Sequence, residues 1–375
     1  MTRIEYTHLI TLRPIDVFFF GSERTFGNDE LVNYRAETRL YPQQTTLMGL
    51  LRYIGYYAEG IGPKKIGCSF TVDSFKRESN YGVIKAISPL FFRKYNDQKK
   101  PTDFGFAPYL RVALTKSPPK VNELKAEYST GTDDNWHPLI ELPDYIAKDD
   151  YEVSLVAVAN EPIDLSDVVK TDERVGITKQ LEDTEKSDGF YKQKMGRLVP
   201  GFSFAFMAKL ELGKGKIPKK QVIKVGAEKA LFSVSCKEID EKESKTYTDR
   251  IPADLYDNCR MEEYYVAVLL SDAFVERKPF ERLAFTAAGT VDFRHLHTPS
   301  GVRKNNWGKL DRSSNIVLGK GTIIQQSKKY NLLSRGSLLT SKSRQDLIKL
   351  LDQHHWQTIG CNQYHLLDPL KSNTQ

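Results

Sequence analysis

R-L-Y-P-Q-Q-T-T-L-M-G-L-L-R-Y-I-G-Y-Y-A-E-G, residues Arg39 to Gly60, is the stretch on which the fold turns. It reads as a helix entered from a proline-bearing turn, with Thr45 or Thr46 available as N-cap. Leu47, Leu50, Leu51, Ile54 and Ala58 recur at the spacing of one apolar helix face. The helix entrance carries Arg39, Gln43, Gln44 and both threonines at the positive end of the helix dipole, where phosphate is favoured. Gly49 inside the helix costs about 0.8–1 kcal/mol relative to alanine. A glycine there lets another backbone come close, and Arg52 follows one turn later.

The 375 residues suffice for two or three domains, and 40% hydrophobic with 27% charged content marks a globular chain. No apolar run reaches the roughly 18 residues of a membrane span, and M-T-R-I-E-Y-T lacks the apolar core of a secretion signal. Cys68, Cys236, Cys259 and Cys361 form no C-x-x-C pair, which argues against a structural zinc site and for a cytoplasmic location. Net charge is +7 and unevenly spread. Lys192 to Lys229 holds ten basic against two acidic residues, Arg303 to Lys349 eleven against two, and Asn122 to Asp188 six against eighteen. Two basic tracts and one acidic tract describe a polyanion-binding surface beside a face of other character.

Strands are expected where apolar residues alternate: Ile4 to Leu12, ended by Pro14; Val83 to Phe92, broken by Pro89; and Phe202 to Leu212, the clearest of all. Arg174–Leu198 reads as two strands joined by a long polar hairpin, and residues 94–150 as a heterogeneous insertion. The charged stretch Lys237–Arg250 suggests a linker, Tyr264–Leu270 a strand and Gln345–His355 a short helix. Gly226, Gly336 and Gly360 interrupt strand patterns, where glycine permits close approach of another backbone such as sugar-phosphate. Strands with few helices imply an α+β fold with mostly antiparallel sheets.

The chemistry-bearing motifs are sparse. There is no phosphate-binding G-x-x-x-x-G-K-[ST], no dinucleotide fingerprint and no G-x-S-x-G elbow, so no cofactor is expected. His295 and His297 share a strand face, but no third ligand stands at motif spacing. His8 lies in the apolar phase of the first strand, as a packed core histidine does.

Taken in order, F-F-F-G-S-E-R-T-F (Phe18–Phe26), Y-P-Q-Q-T-T-L-M-G-L-L-R (Tyr41–Arg52), R-V-G-I, D-G-F-Y-K, the phenylalanine-rich strand, V-G-A-E-K-A and S-R-G-S-L resemble the RAMP superfamily of CRISPR proteins. Within it the sequence is most similar to the third Cmr subunit of type III-B effector complexes or its type III-D counterpart. The resemblance spans Ile4 to about Leu366 and implies two ferredoxin-like (RRM-related) domains. One covers 1–238 with the insertion, and the other covers 258–375 after a charged linker at 239–257. It further implies a non-catalytic subunit that holds the 5′ tag of the crRNA and docks the large signalling subunit. The backbone RAMP subunits would be further partners, and target RNA would be met indirectly. The expected RNA contacts are Arg24 and Phe26; Arg39, Gln43, Thr45, Thr46, Gly49 and Arg52; Lys192, Lys194 and Arg197; and Arg335, Gly336 and Ser337. The alternative on the same fold is a repeat-RNA endoribonuclease using His8, His295 or His297.

Overall fold

Two faces of one strand dictate the first layer. In His8–Pro14, Ile10 and Leu12 pack to one side and Leu9 to the other, and all three are buried. The computed structural model describes residues 6–21, 35–59, 83–95, 101–110, 125–128, 138–141, 153–156, 162–164, 167–178, 189–213, 215–226, 230–249, 260, 263–276, 280, 283–288, 290–293, 296–297, 315–318, 322–326 and 330–369. His8–Pro14 lies between Phe202–Leu210 and Ala230–Glu238, antiparallel to both, and Phe91–Tyr95 flanks Phe202–Leu210. Numbered along the chain, these four strands stand in the order 4-1-3-2, the ferredoxin-like arrangement. The helix Gln44–Glu59 connects the first to the second, and its Leu47, Leu51 and Ile54 share the core with Ile10, Leu12, Phe204 and Phe206.

The strand Lys220–Val225 forms a hairpin with Ala230–Glu238 and lies at one edge of the sheet. Past Phe91–Tyr95 the sheet continues through Pro101–Leu110, Val153–Val156 and Pro162–Asp164. The region read as an insertion thus supplies strands, among them the pair Lys125–Tyr128 and Pro138–Glu141.

A second sheet repeats the order. Tyr364–Leu367, Tyr265–Leu269, Leu338–Ser341 and Phe285–Ala287 lie side by side and antiparallel, again 4-1-3-2. The helix Arg344–Leu351 crosses from third to fourth strand, buries Leu347, Leu350 and Leu351, and is capped by the Ser343 hydroxyl accepting from Asp346 N–H. The single helix read over Gln345–His355 is two. Asp352 and Gln353 break it, and His354–Thr358 follows, burying Trp356. The α+β class with two ferredoxin-like units and mostly antiparallel sheets is therefore what forms; Arg35–Glu37 beside Gly189–Leu198 is a parallel exception.

Within the charged stretch read as a linker stands the helix Glu241–Asp249. Asp240 accepts from Glu243 N–H at 2.7 Å, and Glu241 and Glu243 suit the positive end of the dipole. The helix docks on the first sheet where Tyr6 N–H donates to Ser244 Oγ at 3.1 Å.

The tightest packing surrounds Phe18. Its backbone exchanges two hydrogen bonds with Gly196 (2.7 and 2.9 Å), and its fully buried ring lies over that glycine, where a Cβ would sit 2.5 Å from ring carbon. Phe20, Phe204 and Phe232 surround it with ring centroids 4.9 to 6.3 Å away. Phe18→Ala should lower unfolding free energy by about 3–5 kcal/mol, read as a lower urea midpoint at unchanged slope.

Candidate nucleic-acid interface

The helix entrance is a joint between the two units. After Pro42, the Gln43 carbonyl accepts from Thr46 N–H (2.9 Å) and Leu47 N–H (3.2 Å), which makes Gln43 the cap position. Neither threonine caps. Both lie inside the helix as half-exposed positions, which corrects the sequence expectation. The Gln43 amide donates to Asp292 O at 3.0 Å, and Arg39 donates from Nη2 to the same carbonyl at 3.1 Å and from Nε to Gly21 O at 3.1 Å. Gln44, 3% exposed, donates from Nε2 to Ser88 O (3.1 Å) and Gly360 O (2.9 Å).

Arg39 and Gln43 were expected to face phosphate. Their donors meet backbone carbonyls, Asp292 O of the second unit for both and Gly21 O of the first for Arg39. Gly360 has φ +80°, and a Cβ there would run into the Gln44 amide and sit 2.7 Å from Ser88 O.

Arg335, Gly336 and Ser337 are interior as well, a second correction. The Arg335 side chain is 1% exposed, stacks 4.1 Å above the Tyr41 ring and lies 3.6 Å from Asp272 Oδ1. Stacking on an aromatic face beside a carboxylate gives a guanidinium an interior seat. Gly336 turns with φ +83° and donates to Leu269 O at 2.7 Å, while the Ser337 hydroxyl donates to Ser334 O at 2.6 Å. Gly226 is exposed, in the left-handed turn that ends its strand. Its φ is +80°, and a Cβ there would lie 3.0 Å from Phe19 O.

What remains outward is different. Gly49 is exposed with nothing within 4 Å of a Cβ position, so no other segment of the described chain comes close to it. Thr45, Thr46 and Arg52 are partly exposed near it, and the buried Arg52 Nε has no hydrogen-bond partner among the described residues.

The hairpin Val169–Thr178 with Gly189–Leu198 pairs over its whole length, Lys192 opposite Val175 and Lys194 opposite Glu173. Alternation puts Lys192 and Lys194 on one face and Arg197 on the other. Arg197 is engaged by acids. It donates from Nε (3.0 Å) and Nη2 (2.9 Å) to Asp172 Oδ2 and pairs through Nη1 with Asp16 at 3.1 Å. The hydrogen bonds to Asp172 raise its pKa first of all, Asp16 adding to them. Lys192 and Lys194 have no ion pair among the described residues. Of the expected trio, Lys192 is exposed, Lys194 is half-buried in register between Glu173 and Glu37, and Arg197 is engaged by Asp172 and Asp16.

Arg24 and Phe26 lie outside the described residues, as do His295 and the side chain of His297. His8 is 8% exposed, its Nδ1 2.9 Å from Thr7 Oγ1, and burial pushes its pKa below the ordinary value. Sequence reasoning missed the role of Gln44, which looked like a spare donor. The one local signal was Gly360, a glycine interrupting a strand pattern.

On this fold and site stand the comparisons with known proteins. The family described as CRISPR-associated protein (Cas_Cmr3) matches residues 10–108 and 125–317. The chain belongs to this family, in agreement with the resemblance to the third Cmr subunit of a type III complex. Among curated proteins nothing matches. Two solved structures are similar along their length. One is a chain of the type III-B Cmr-beta complex bound to cognate target RNA and AMPPnP, 12% identical over 95% of both chains at a TM-score of 0.45. The other is a chain of type III-B Cmr-beta bound to cognate target RNA, 9% identical over 95% of this chain and 96% of that one, at 0.48. No helix among the described residues is long and apolar enough to cross a membrane.

Gln44→Ala strands two buried carbonyls and should cost about 1–3 kcal/mol per carbonyl, whereas Thr45→Ala and Thr46→Ala should each cost less than the roughly 1 kcal/mol of a lost N-cap. Urea midpoints read the difference. His8 supplies a pH test. With its folded pKa below about 6.5, the unfolded chain takes up a proton that the folded chain refuses. Stability should fall as pH drops through that value toward the folded pKa, and His8→Gln should flatten this part of the stability profile.

Proposed function

We propose that this chain is a non-catalytic crRNA-binding subunit of a type III CRISPR ribonucleoprotein. It holds the repeat-derived 5′ tag of the crRNA and docks the large signalling subunit beside the backbone RAMP subunits. The observation that carries the RNA-binding part is the hairpin face with Lys192 and Lys194, two cations without an ion pair among the described residues. It adjoins the strand Arg35–Glu37, and that strand runs directly into the helix entrance. The outward side of the helix adds Thr45, Thr46, the open Gly49 and Arg52. The hydrogen bonds of Gln43 and Gln44 anchor the helix entrance, and cations beside it suit capture of an extended single strand by its phosphates.

The endoribonuclease reading finds little support at His8. Its imidazole is 8% exposed, and burial holds its pKa below the ordinary value, which disfavours the protonated form a general acid needs.

Lys192→Gln with Lys194→Gln should weaken binding of tag-containing RNA and reduce the slope of log affinity against log salt by about 1.4, roughly 0.7 per lost phosphate contact. Unchanged affinity and slope would remove the hairpin from the interface. Incubation with labelled repeat RNA in the absence of metal should leave it intact. A discrete cut lost on histidine substitution would overturn the non-catalytic assignment.

A further inference from the structure

The face of the first sheet turned away from the helix Gln44–Glu59 is divided in two. At one end Tyr6, Leu9, Phe91 and Met207 pack with Ile239, next to the helix Glu241–Asp249, and are closed off. The other end is of different chemistry, buried at Thr11, Ser203 and Arg93 and exposed from Arg13 toward the edge strand. Arg13 is exposed, pairs in register with Ser233 and has no ion pair among the described residues. Arg93, on the strand next but one from that of Arg13, pairs with Ser203 on the strand between, and both guanidiniums flank the Tyr95 ring, 5.2 and 5.4 Å from its centroid. Between them the fully buried Ser203 Oγ has no hydrogen-bond partner among the described residues. A tyrosine set between two arginines over an unsatisfied hydroxyl is a cationic, aromatic floor.

Beside this floor the surface is apolar as well as basic. Five large hydrophobic side chains are exposed among the described residues, and three of them gather here: Ile15 (58%), Val222 (60%) and Leu231 (45%). The register aligns Val222 with Ser233, itself opposite Arg13, and Lys224 with Leu231, while Ile15 N–H donates to Leu231 O at 2.9 Å. Along the edge strand, Lys220 and Lys224 alternate with Val222 on one face. The facing positions of Ala230–Glu238 carry Leu231, Ser233, Ser235 and Lys237 and no acid, since Glu238 falls in the phase of Phe232 and Val234. Isolated exposed apolar residues are ordinary. Lys237 is paired with Glu243, but a cluster interleaved with Arg13, Lys220 and Lys224, which have no ion pair among the described residues, is the composition that single-stranded nucleic acid uses, phosphates on the cations and unstacked bases on the flat or apolar groups.

We propose that this half of the sheet face is a second single-stranded RNA site, separate from the hairpin and the helix. Arg13 and Lys224 take phosphates, Tyr95 is held flat between Arg13 and Arg93, and Val222 and Leu231 support a base. The proposal rests on the RNA-binding reading above and assigns a further stretch of the strand to a different surface.

The test uses the purified full chain and an end-labelled oligo-uridine RNA titrated at several salt concentrations. Arg13 and Lys224 are exposed, so Arg13→Gln with Lys224→Gln leaves the core untouched. This pair should lower affinity several-fold and reduce the salt slope by about 1.4. Val222→Ser should lower affinity with the slope unchanged. Wild-type affinity and slope in the Arg13/Lys224 variant would overturn the proposal, and a loss seen only with Lys192→Gln/Lys194→Gln would do so while leaving the RNA-binding reading intact. Failure of the unaltered chain to bind any RNA would end both. If the Arg13/Lys224 variant keeps RNA but loses the large subunit in co-purification, the face docks protein and the proposal is likewise overturned.

Discussion

One buried amide holds the two halves of the molecule in register. Gln44 Nε2 donates to Ser88 O in the first unit and to Gly360 O in the second, joining residues 316 positions apart in sequence. The contact requires Gly360, because a side chain at φ +80° would occupy the space of that amide. Around it Arg39 and Gln43 share the Asp292 carbonyl, and Tyr41 receives the face of Arg335 beside Asp272. Each group is buried or half-buried. Removing one partner leaves a carbonyl or a charge without compensation, which costs more than the bond itself contributes. The helix that starts at Gln44 takes its position from these contacts.

This constraint redistributes the chemistry of the surface. At the helix entrance the side-chain donors of Arg39, Gln43 and Gln44 are engaged by backbone carbonyls of the protein, while the buried Gln44 Oε1 has no hydrogen-bond partner among the described residues. Cations available to a polyanion lie on β-structure instead. Lys192 and Lys194 line one face of the long hairpin, and Arg13, Lys220 and Lys224 lie toward the edge of the first sheet. The helix is a structural strut with a modest outward face at Gly49 and Arg52.

Much of this was legible in the chain. Alternation located Phe202–Leu210 to within two residues, because large apolar residues recur at every second position, although the strand is buried on both faces. The leucine periodicity fixed which face of Gln44–Glu59 packs, and the paired polar strands fixed the hairpin. What could not be read were the partners. Arg335, in a basic tract, looks like a surface cation, and only Tyr41 and Asp272, brought close by the fold, turn it inward. Gln43 displaces the threonines as cap because the chain enters the helix two to three residues earlier than local preference suggests. The helix Glu241–Asp249 arises in a stretch with little apolar content because the Asp240 cap and the Tyr6–Ser244 contact stabilise it from outside its own periodicity. In each case the deciding interaction is tertiary, and a composition or spacing argument has no access to it.

The central claim is that this chain holds the 5′ end of the guide RNA without cutting it. Nuclease footprinting of crRNA in the assembled complex, with and without this subunit, tests that most directly. The account predicts that the repeat-derived 5′ segment is protected in the complete complex and digested when the subunit is omitted, with the rest of the footprint unchanged. Equal protection of the 5′ segment in both preparations would contradict it.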